Sequence, residues 1–273
     1  MSVTYHSLED FLSSQPLHVD GVVDDGADKL FAVKGREIEA AVLFADIAGF
    51  SAKTAGLTPT ETLIFVNHFF CWITAEALEG AAAVIDKYIG DAVMLVFSPE
   101  LGSADPFGDA LRTAGRIAHY DPFGFCPHIG IASGPVVVGF VGTERKYNCS
   151  VFGRPVTLAA RCAGVKPRTA DTDAGYMAFP AAEWGNRVFE VMFPLKRYGR
   201  SDGLHAFEML PVQQEDLKNV GTTDVICVVR TASWFPSTLP EERAKAAANN
   251  LRASGHYRPR GPRWLMGATD DNQ

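Results

Sequence analysis

The chain has 273 residues, with 25 Lys and Arg against 32 Asp and Glu, so its formal net charge is −7 with histidine neutral. Hydrophobic residues make up 47% and charged residues 21%, a globular composition that excludes a fully disordered or collagen-like chain. The acidic balance argues against a general nucleic-acid or anionic-membrane binder, because both need a positive field. A small anionic substrate is compatible with this charge, since bound metal ions supply positive charge.

Cysteine usage and the longest apolar stretch bear on the compartment. The five cysteines are odd in number and widely spread, which indicates reduced, buried thiols and a cytoplasmic protein rather than a disulfide framework. The first residues hold no basic segment followed by an apolar one, so no signal peptide is expected. The uncharged stretch 125–143 contains four glycines and two prolines. It therefore predicts a strand, a turn and a strand rather than a membrane helix.

In chain order, the first element is a short helical pattern formed by Leu8, Phe11 and Leu12. A stretch rich in glycine and aspartate follows, and residues 1–34 are expected to form an N-terminal arm. A largely apolar strand is predicted at 38–44, ending at Asp46 before a turn at Gly49.

A helix is predicted to begin at residues 58–61, which have the spacing of a capping box with proline at the first helical position. The helix is expected to run to residue 80 and to bury a stripe formed by Leu63, Val66, Phe70, Ile73 and Ala77. Two apolar runs, 82–87 and 92–97, flank a short turn at 88–91 and predict a β-hairpin.

The remaining pattern predicts helices at 105–119 and 153–165 and strands at 127–133, 136–140, 147–152, 187–195 and 204–209. The order β-α-β-β-α-β, extended by a further αβ unit, predicts an α+β fold with a ferredoxin-like core over residues 35–210. Residues 211–273 are expected to form a C-terminal extension. It holds a strand pattern at 225–229, a helix pattern at 241–254 and a basic tail with Arg258, Arg260 and Arg263.

Two aspartates stand where a strand ends in a tight turn. Asp46 follows the strand at 38–44, and Asp91 lies in the turn of the hairpin. If that strand lies beside the hairpin, both carboxylates project from the same end of the sheet. Two hard oxygen ligands suit Mg²⁺ or Mn²⁺, and two such ions about 3.5–4 Å apart polarise the attacking and leaving oxygens of a displacement. The alternative is a pair of ordinary turn-forming aspartates.

Two further segments favour a phosphate site. The small residues at 47–51 let backbone N–H groups approach an anion, although neither a P-loop nor a Rossmann glycine motif occurs in the sequence. Arg154, Thr157 and Arg161 are spaced i, i+3 and i+7, so they line one face of the predicted helix, where a guanidinium can bind a phosphate. The opposite, packed face is expected to hold Val156, Ala159, Ala160 and Ala163. The alternative is a solvated polar stripe.

Four segments in this order resemble the class III nucleotidyl cyclases, the family of the adenylyl and guanylyl cyclase catalytic domains. They are Phe-Ala-Asp-Ile-Ala-Gly-Phe-Ser at 44–51, Asp-Lys-Tyr-Ile-Gly-Asp at 86–91, His-Ile-Gly-Ile-Ala-Ser-Gly-Pro-Val-Val-Val-Gly at 128–139, and Phe-Gly-Arg-Pro-Val-Thr-Leu-Ala-Ala-Arg at 152–161. The resemblance runs from residue 40 to residue 165, with a looser match to residue 209. It implies a catalytic domain that converts a nucleoside triphosphate into a 3′,5′-cyclic nucleotide and pyrophosphate.

The resemblance also implies roles for individual residues. Asp46 and Asp91 match the two metal-binding aspartates, and the Ile47 carbonyl matches a backbone ligand of the two divalent ions, Mn²⁺ or Mg²⁺. Arg161 matches the arginine that stabilises charge developing on the α-phosphate. Family sites form between two chains in head-to-tail arrangement, which implies a homodimer with two equivalent sites.

Base recognition is implied for a second group of residues. Lys87 matches a base-reading lysine and Ser150 falls at its partner position, both supplied by the chain that supplies Arg161. The other residues expected to bind substrate are Phe44, Ala48, Gly49, Phe50, Ser51, Thr157 and Lys196.

Two positions depart from the family pattern. Arg154 stands where an aspartate is usual, and Thr157 stands where a ribose-positioning asparagine is usual. A lysine with a serine or threonine partner fits adenine, but a lysine equally donates to a carbonyl of uracil or cytosine. The base therefore stays open between ATP and a pyrimidine nucleotide on these residues.

A cyclase domain with short extensions and no receptor, membrane or phosphorelay segment also looks like the stand-alone pyrimidine cyclases of bacterial antiphage systems, which make cyclic UMP or cyclic CMP to activate an effector protein. This second resemblance favours UTP, with ATP as the alternative. The expected partners are the nucleotide, a second copy and a separate effector, without nucleic acid or membrane. Two alternatives come from other classes: a nucleotide-binding regulatory module that has lost catalysis, and a ferredoxin-like RNA binder, which the apolar strands and negative charge disfavour.

Overall fold

A computed structural model describes residues 5–24, 26, 29–78, 80–119, 124–143, 146–168, 175–183 and 207–230. The strand predicted at 187–195, the helix predicted at 241–254 and the basic tail lie outside these residues, as does Lys196.

The helices are α1 (Leu8–Ser14), α2 (Phe50–Thr54), α3 (Pro59–Trp72), α4 (Pro106–His119) and α5 (Arg154–Ala163), and α3 continues into a π-helical turn at Ile73–Ala77. Short 3₁₀ turns occur at Pro99–Leu101 and Ala181–Glu183. The strands are β1 (Val19–Asp24), β2 (Leu30–Asp46), β3 (Val84–Ile89), β4 (Ala92–Phe97), β5 (His128–Thr143), β6 (Lys146–Phe152), β7 (Tyr176–Pro180), β8 (Phe207–Met209), β9 (Gln213–Leu217) and β10 (Gly221–Arg230).

The described strands form one ten-stranded sheet in the order β3-β4-β2-β5-β7-β10-β8, with β1 on β2, β6 on β5 and β9 on β10. The pairs β3–β4, β4–β2 and β2–β5 are antiparallel, whereas β5 and β7 are parallel. The succession β2-α3-β3-β4-α4-β5 is the β-α-β-β-α-β unit of a ferredoxin-like core. The predicted α+β fold is therefore confirmed, and β7, β8 and β10 extend the sheet beyond that core.

Helices cover both faces of the sheet. On one face, α3 and α4 pack against a buried cluster that includes Leu43 and Leu95. On the other face, α1 and α5 pack against a cluster that includes Val42 and Met94. Since neighbouring side chains of a strand point to opposite faces, β2 and β4 are apolar at consecutive positions rather than alternate ones.

The helix at 59–72 begins as predicted, and its buried face agrees with the prediction in part. Thr58 and Glu61 form the capping box through reciprocal hydrogen bonds. Within the predicted stripe, Ile73 is buried and Phe70 packs against the core, whereas Leu63 is 64% exposed. The other buried residues are Phe65, Phe69 and Trp72. The prediction is wrong at Leu63 because this segment carries apolar residues on several faces, so periodicity alone does not identify the packed one.

The packed face of α5 also differs from the prediction. Ala159 and Ala163 are buried as expected, together with Pro155 and Cys162. Ala160 is exposed, so its assignment to the packed face is wrong. An alanine side chain is small enough to occupy either face of a helix, so it carries little information about the packed side.

Residues 128–143 form one continuous strand rather than the strand, turn and strand predicted around residue 134. The outer edge of β5 pairs with β7 at 128–130 and with β6 at 137–143. Pro135 lies between these two segments, so its missing N–H removes no hydrogen bond to either neighbour. Glycine and proline therefore mark a change of neighbour here, not a turn.

The sheet crosses both boundaries that the sequence predicted. β1 pairs with residues 30–35 of β2, so part of the N-terminal arm belongs to the sheet. β10 includes the predicted strand at 225–229 and lies between β7 and β8, so the sheet continues past residue 210. β7 and β9 were not predicted, and the polar sequence of β9 shows no apolar alternation.

All five cysteines are free thiols. Cys162 and Cys227 are buried and Cys126 and Cys149 are partly buried, but Cys71 is exposed, which corrects its expected burial. Cys71 lies on α3 between the buried residues Phe69 and Trp72, at a position that the helix leaves open to solvent. Among the described helices, none combines the length and apolarity needed to cross a bilayer.

Gly130 allows α5 to approach β5 closely, which yields a stability prediction. A Cβ atom at this position would lie 2.0 Å from the Ala159 carbonyl oxygen and 2.3 Å from the Ala163 backbone nitrogen. We expect Gly130→Ala to lower the free energy of unfolding by about 1–3 kcal/mol, measured by urea denaturation, because backbone atoms must shift. Gly21→Ala is the control, since a Cβ there meets nothing within 4 Å. An unchanged urea midpoint for Gly130→Ala would contradict the close approach.

Candidate active site

Asp46 and Asp91 lie at the same end of the sheet. Asp46 is the last residue of β2 and pairs with Ala92, which directly follows Asp91. The turn between β3 and β4 has Gly90 at a φ of 63°, a left-handed conformation that glycine adopts without strain. The register of β2 on β4 therefore brings the two predicted metal-binding residues together.

Burial makes both carboxylates hard to ionise, and the charge of Asp91 adds to this effect at Asp46. Burial raises the pKa of Asp46 to about 6, with the charge of Asp91 as the second cause. Burial also raises the pKa of Asp91. The backbone N–H of His128 and the charge of Lys53 oppose the shift at Asp46. A cation bound between two such carboxylates relieves their repulsion, so this pair favours cation binding.

The oxygen donors at this end of the sheet fit a divalent cation. Oδ1 of Asp46 is buried and accepts no hydrogen bond from the described residues. The Ile47 carbonyl accepts one hydrogen bond, from the Phe50 N–H at 3.2 Å, and keeps a second lone pair. In the described ranges, no group of three or more His, Cys, Asp or Glu side chains could hold a metal ion. Asp46, Asp91 and the Ile47 carbonyl would therefore hold the ion together with oxygens of the substrate.

The loop after Asp46 is short and compact. Gly49 has a φ of 60° and a ψ of 34°, and α2 begins immediately after it at Phe50. Ser51 is exposed and Ala48 is partly buried, whereas Phe44 is a core side chain with 8% exposure. Of the residues predicted to bind substrate in this segment, Phe44 thus contributes backbone rather than side-chain surface.

Lys53 is a buried cation that the sequence analysis did not identify. It is only 5% exposed, and its ammonium group donates to the carbonyl oxygens of Phe125 at 2.6 Å and Gly124 at 3.3 Å. These bonds tie α2 to the segment before β5. No signal in the sequence marks this lysine, because a Ser-Ala-Lys-Thr segment is typical of solvent-exposed helix starts.

His128 lies beside Asp46 on β5 and is also absent from the predicted site. Its Nδ1 is 3.8 Å from Oδ1 of Asp46, too long for a hydrogen bond, and its ring packs on Tyr176 with centroids 4.3 Å apart. Burial, followed by the charges of Lys53 and Lys166, lowers the pKa of His128 to about 4. The imidazole is therefore neutral at pH 7 and supplies no counter-charge to the acidic pair.

Lys87 and Ser150, the predicted base-reading pair, are in contact within the chain. Nζ of Lys87 donates to Oγ of Ser150 and lies 5.9 Å from the centroid of the Phe152 ring. The two residues belong to β3 and β6, and both line a cavity of about 370 Å³. The structure thus joins these two residues in one polar group beside an open cavity.

The polar face of α5 holds the remaining residues of the predicted phosphate site. Arg154 and Thr157 are exposed, and Nε of Arg161 donates to the Lys218 carbonyl at 3.2 Å. Lys218 lies in the turn between β9 and β10. In one chain, the Arg161 guanidinium is thus bonded to that turn.

Comparison with known proteins identifies the family. Residues 33–168 match the model of the adenylate and guanylate cyclase catalytic domain. This stretch contains the whole ferredoxin-like core as well as Asp46, Asp91, Lys87, Ser150 and Arg161. Through residues 33–168 the chain belongs to the class III adenylate and guanylate cyclase catalytic domain family, as the sequence motifs predicted.

Sequence relatives are longer than this chain. An adenylate cyclase of Anabaena cylindrica is 28% identical over 176 residues, which cover 59% of this chain and 34% of that protein. An uncharacterized protein of Mycobacterium tuberculosis is 34% identical over 130 residues, covering 46% of this chain and 23% of that protein. The matched part thus spans about a third or less of these curated relatives.

Solved structures show the same fold. The guanylyl cyclase Cya2 aligns with a TM-score of 0.53 at 20% identity, covering 75% of this chain and 99% of that chain. The adenylyl cyclase CyaB from P. aeruginosa aligns with a TM-score of 0.52 at 16% identity, covering 74% of this chain and 99% of that chain. At this level of identity the likeness establishes the fold.

The raised pKa of Asp46 predicts an unusual pH dependence of stability. Its pKa in the folded chain, about 6, lies above its ordinary value of 3.8, so the folded state holds the proton more tightly and stability falls as pH rises from 3.8 to about 6. Removing the charge with Asp46→Asn should stabilise the metal-free protein at pH 7.5. We expect about 1 kcal/mol after discounting for partial exposure, or about 2–4 °C in Tm. Thermal melts in EDTA at pH 5 and pH 7.5 test this, and equal pH dependence in both proteins would contradict it.

The same variants test cation binding without any assay of turnover. Mn²⁺ should raise the Tm of the wild-type protein at pH 7.5, because it binds the folded state through the two carboxylates. Asp46→Asn and Asp91→Asn should each lose most of this shift. Asp20→Asn, at an exposed position of β1, is the matched control and should keep it. A Mn²⁺ shift of the same size in all four proteins would place the cation elsewhere.

Proposed function

We propose that this chain is a metal-dependent nucleotidyl cyclase, which converts a nucleoside triphosphate into a 3′,5′-cyclic nucleotide and pyrophosphate. The observation that carries the proposal is the register of β2 on β4, which joins Asp46 and Asp91 at one end of the sheet. Their raised pKa values and the buried, unpaired Oδ1 of Asp46 support cation binding at this point. Asp46, Asp91 and the Ile47 carbonyl would hold Mg²⁺ or Mn²⁺, which would lower the pKa of the ribose 3′-hydroxyl and neutralise charge on the triphosphate.

The chain's own residues then bind and orient the nucleotide. In the reaction, the 3′-oxygen attacks the α-phosphorus, the bond from this phosphorus to the bridging oxygen of the β-phosphate breaks, and the hydroxyl proton passes to solvent. Backbone N–H groups of the loop at 47–51 face the phosphates next to Asp46. Arg161 stabilises the charge that develops on the α-phosphate in the transition state. Lys196 and Thr157 are proposed to contact the triphosphate and the ribose.

A head-to-tail homodimer completes the site. Asp46 and Asp91 of one copy are proposed to face Lys87, Ser150 and Arg161 of the other. In a single chain, Arg161 is bonded to the Lys218 carbonyl. Several large apolar side chains near Lys87 and Ser150 are exposed, as expected of a surface that a second copy buries. They are Tyr88, Ile89, Val141, Tyr147 and Phe152.

UTP is the proposed substrate, and ATP is the alternative. The ammonium of Lys87 can donate to a uracil carbonyl, and Arg154 and Thr157 depart from the family pattern at the positions that contact the nucleotide. The adenylate cyclase among the relatives supports ATP. With UTP as substrate, we propose that cyclic UMP serves as a second messenger in antiphage defence and acts on a separate effector protein in the cytoplasm.

An assay with all four nucleotides tests the activity and the base together. The pure protein is incubated with ATP, GTP, CTP or UTP and Mn²⁺, and the products are identified by mass spectrometry. We expect cyclic UMP from UTP as the main product. Cyclic AMP as the main product would overturn the base assignment and leave the cyclase in place. Binding of nucleotide without pyrophosphate release from any of the four would instead support the regulatory module.

Variant proteins test the proposed roles. Asp46→Ala or Asp91→Ala should abolish turnover while the protein stays folded. Arg161→Ala should lower kcat by about 10²–10³ with a smaller change in KM, because its contact strengthens in the transition state. Steady-state kinetics with circular dichroism as the folding control measure these effects. Wild-type turnover in any of the three variants would remove that residue from the site.

Mixing inactive variants tests the shared site. An equal mixture of Asp46→Ala and Arg161→Ala should recover about a quarter of wild-type activity, since half of the dimers are mixed and each mixed dimer has one intact site. Asp46→Ala mixed with Asp91→Ala is the matched control. Every site in those mixed dimers lacks one aspartate, so no activity should return. Recovery in neither mixture would argue against a site formed by two chains.

A further inference from the structure

Asp86 is a buried carboxylate that occupies a β-bulge next to Lys87. The pairing of β3 with β4 shifts register between Ile85 and Lys87, so Asp86 is the extra residue. Consecutive side chains of a regular strand point to opposite faces, but a bulge redirects them. As a result, Asp86 and Lys87 both contact Ser150 on β6.

The hydrogen bonds of this group fix the direction of the Ser150 hydroxyl proton and occupy two of the three ammonium protons of Lys87. The single proton of the Ser150 hydroxyl goes to Oδ2 of Asp86 at 2.9 Å, and one lone pair of the hydroxyl accepts from Nζ of Lys87. Ser150 therefore has one lone pair left and can only accept from a ligand. Nζ of Lys87 is also 3.2 Å from Oδ2 of Asp86, so two of its three protons point into the group and one remains.

The carboxylate of Asp86 is stabilised by Lys87 and Ser150 and not by solvent. Its side chain has 0% exposure, whereas that of Lys87 is 39% exposed. Burial raises the pKa of Asp86, and the charge of Lys87 and the hydrogen bond from Ser150 oppose that shift. A buried carboxylate of this kind persists only when a cation and hydrogen-bond donors compensate it.

The free proton of Lys87 and the free lone pair of Ser150 lie beside the cavity of about 370 Å³. The cavity is bounded by the first turn of α1 at residues 7–9, by Val141 and Tyr147 of the β5–β6 hairpin, and by Asp86, Lys87 and Ser150. Its volume lies within the range of small-molecule sites, about 300–1,000 Å³. The polar group thus presents one donor beside one acceptor to a cavity of suitable size for a nucleobase.

We infer that Asp86 is a positioning residue for base selection, which fixes Ser150 as an acceptor and leaves Lys87 one donor toward the base. The inference rests on the proposed function, because it takes the ligand to be the base of the nucleotide. Uracil offers a carbonyl acceptor at position 4 beside an N–H donor at position 3, which pairs with this arrangement. Cytosine has the same size and shape but the inverted pattern at these two positions.

Asp86→Asn tests the inference with almost no change in volume. An asparagine can donate as well as accept, so the Ser150 proton is no longer directed and the hydroxyl can present either polarity. We expect the kcat/KM ratio of UTP over CTP to fall at least about tenfold, with KM for UTP rising about tenfold and kcat changing less than about threefold. A UTP over CTP ratio equal to that of the wild type would overturn the inference.

Asp109→Asn on α4 is the matched control. Asp109 accepts a hydrogen bond from Ser103 and forms a salt bridge with Arg112, so it joins a hydroxyl and a cation as Asp86 does. Unlike Asp86, it does not line the cavity. Both variants should lose a similar amount of thermal stability, but Asp109→Asn should keep the wild-type ratio. An equal change of the ratio in both variants would show a general effect of lost stability and would overturn the inference.

Binding measurements separate this inference from the proposed function. Calorimetric titration with UTP and CTP in the presence of Mn²⁺ reports base selection whether or not a cyclic product forms. Selective binding of UTP by the wild type, lost in Asp86→Asn, would support the inference even if turnover failed. Turnover of both nucleotides by the wild type without preference would overturn the inference alone and leave the cyclase in place.

Discussion

The antiparallel pairing of β2 with β4 and β5 is the constraint on which the site depends. Its register sets Asp46 opposite Ala92 on one side and opposite His128 on the other, so Asp91 and a neutral imidazole become the neighbours of this carboxylate. A slip of one residue would turn every side chain of β2 to the other face. Both faces of β2 are buried under helices, so the packing that stabilises the fold also prevents that slip. The unfavourable proximity of two carboxylates is thereby imposed by the hydrophobic core, and no local interaction has to hold it.

A second consequence of the sheet is that one chain divides the proposed machinery into three groups. The acidic pair lies at the turn between β3 and β4, where Lys53 is the cation that acts on Asp46 within the described ranges. The polar group of Asp86, Lys87 and Ser150 lies on β3 and β6 beside its own cavity. Arg161 projects from α5 toward Lys218. The acidic pair is not satisfied within the described ranges, because Oδ1 of Asp46 is buried without a hydrogen bond there. In the proposed dimer, a second copy of the chain would bring the polar group and Arg161 to this pair.

Much of the fold and the main residues of the site could be predicted from the sequence, because they depend on local signals. The capping box of α3, the hairpin around Asp91 and the start of α5 are all set by neighbouring residues. The features that were predicted wrongly or not identified depend on tertiary context. The continuous β5 contains Gly134 and Pro135 because its neighbour changes there, and β9 pairs through its backbone without an apolar pattern. Lys53 is buried because the segment before β5 offers it carbonyl oxygens, and Asp86 contacts Ser150 because of a bulge, neither of which a single segment reveals.

The β3–β4 hairpin links base selection to metal binding in the proposed homodimer. Asp86 and Lys87 lie on one strand of the hairpin, and Asp91 lies in its turn. Groups that serve different sites are therefore only a few residues apart on the same hairpin. In a head-to-tail dimer, Lys87 of this hairpin faces the site of one copy while Asp91 belongs to the other. The bulge at Asp86 increases the local twist between the two groups. The same hairpin thus carries a proposed base-reading residue and a proposed metal ligand, so its packing positions both groups at once.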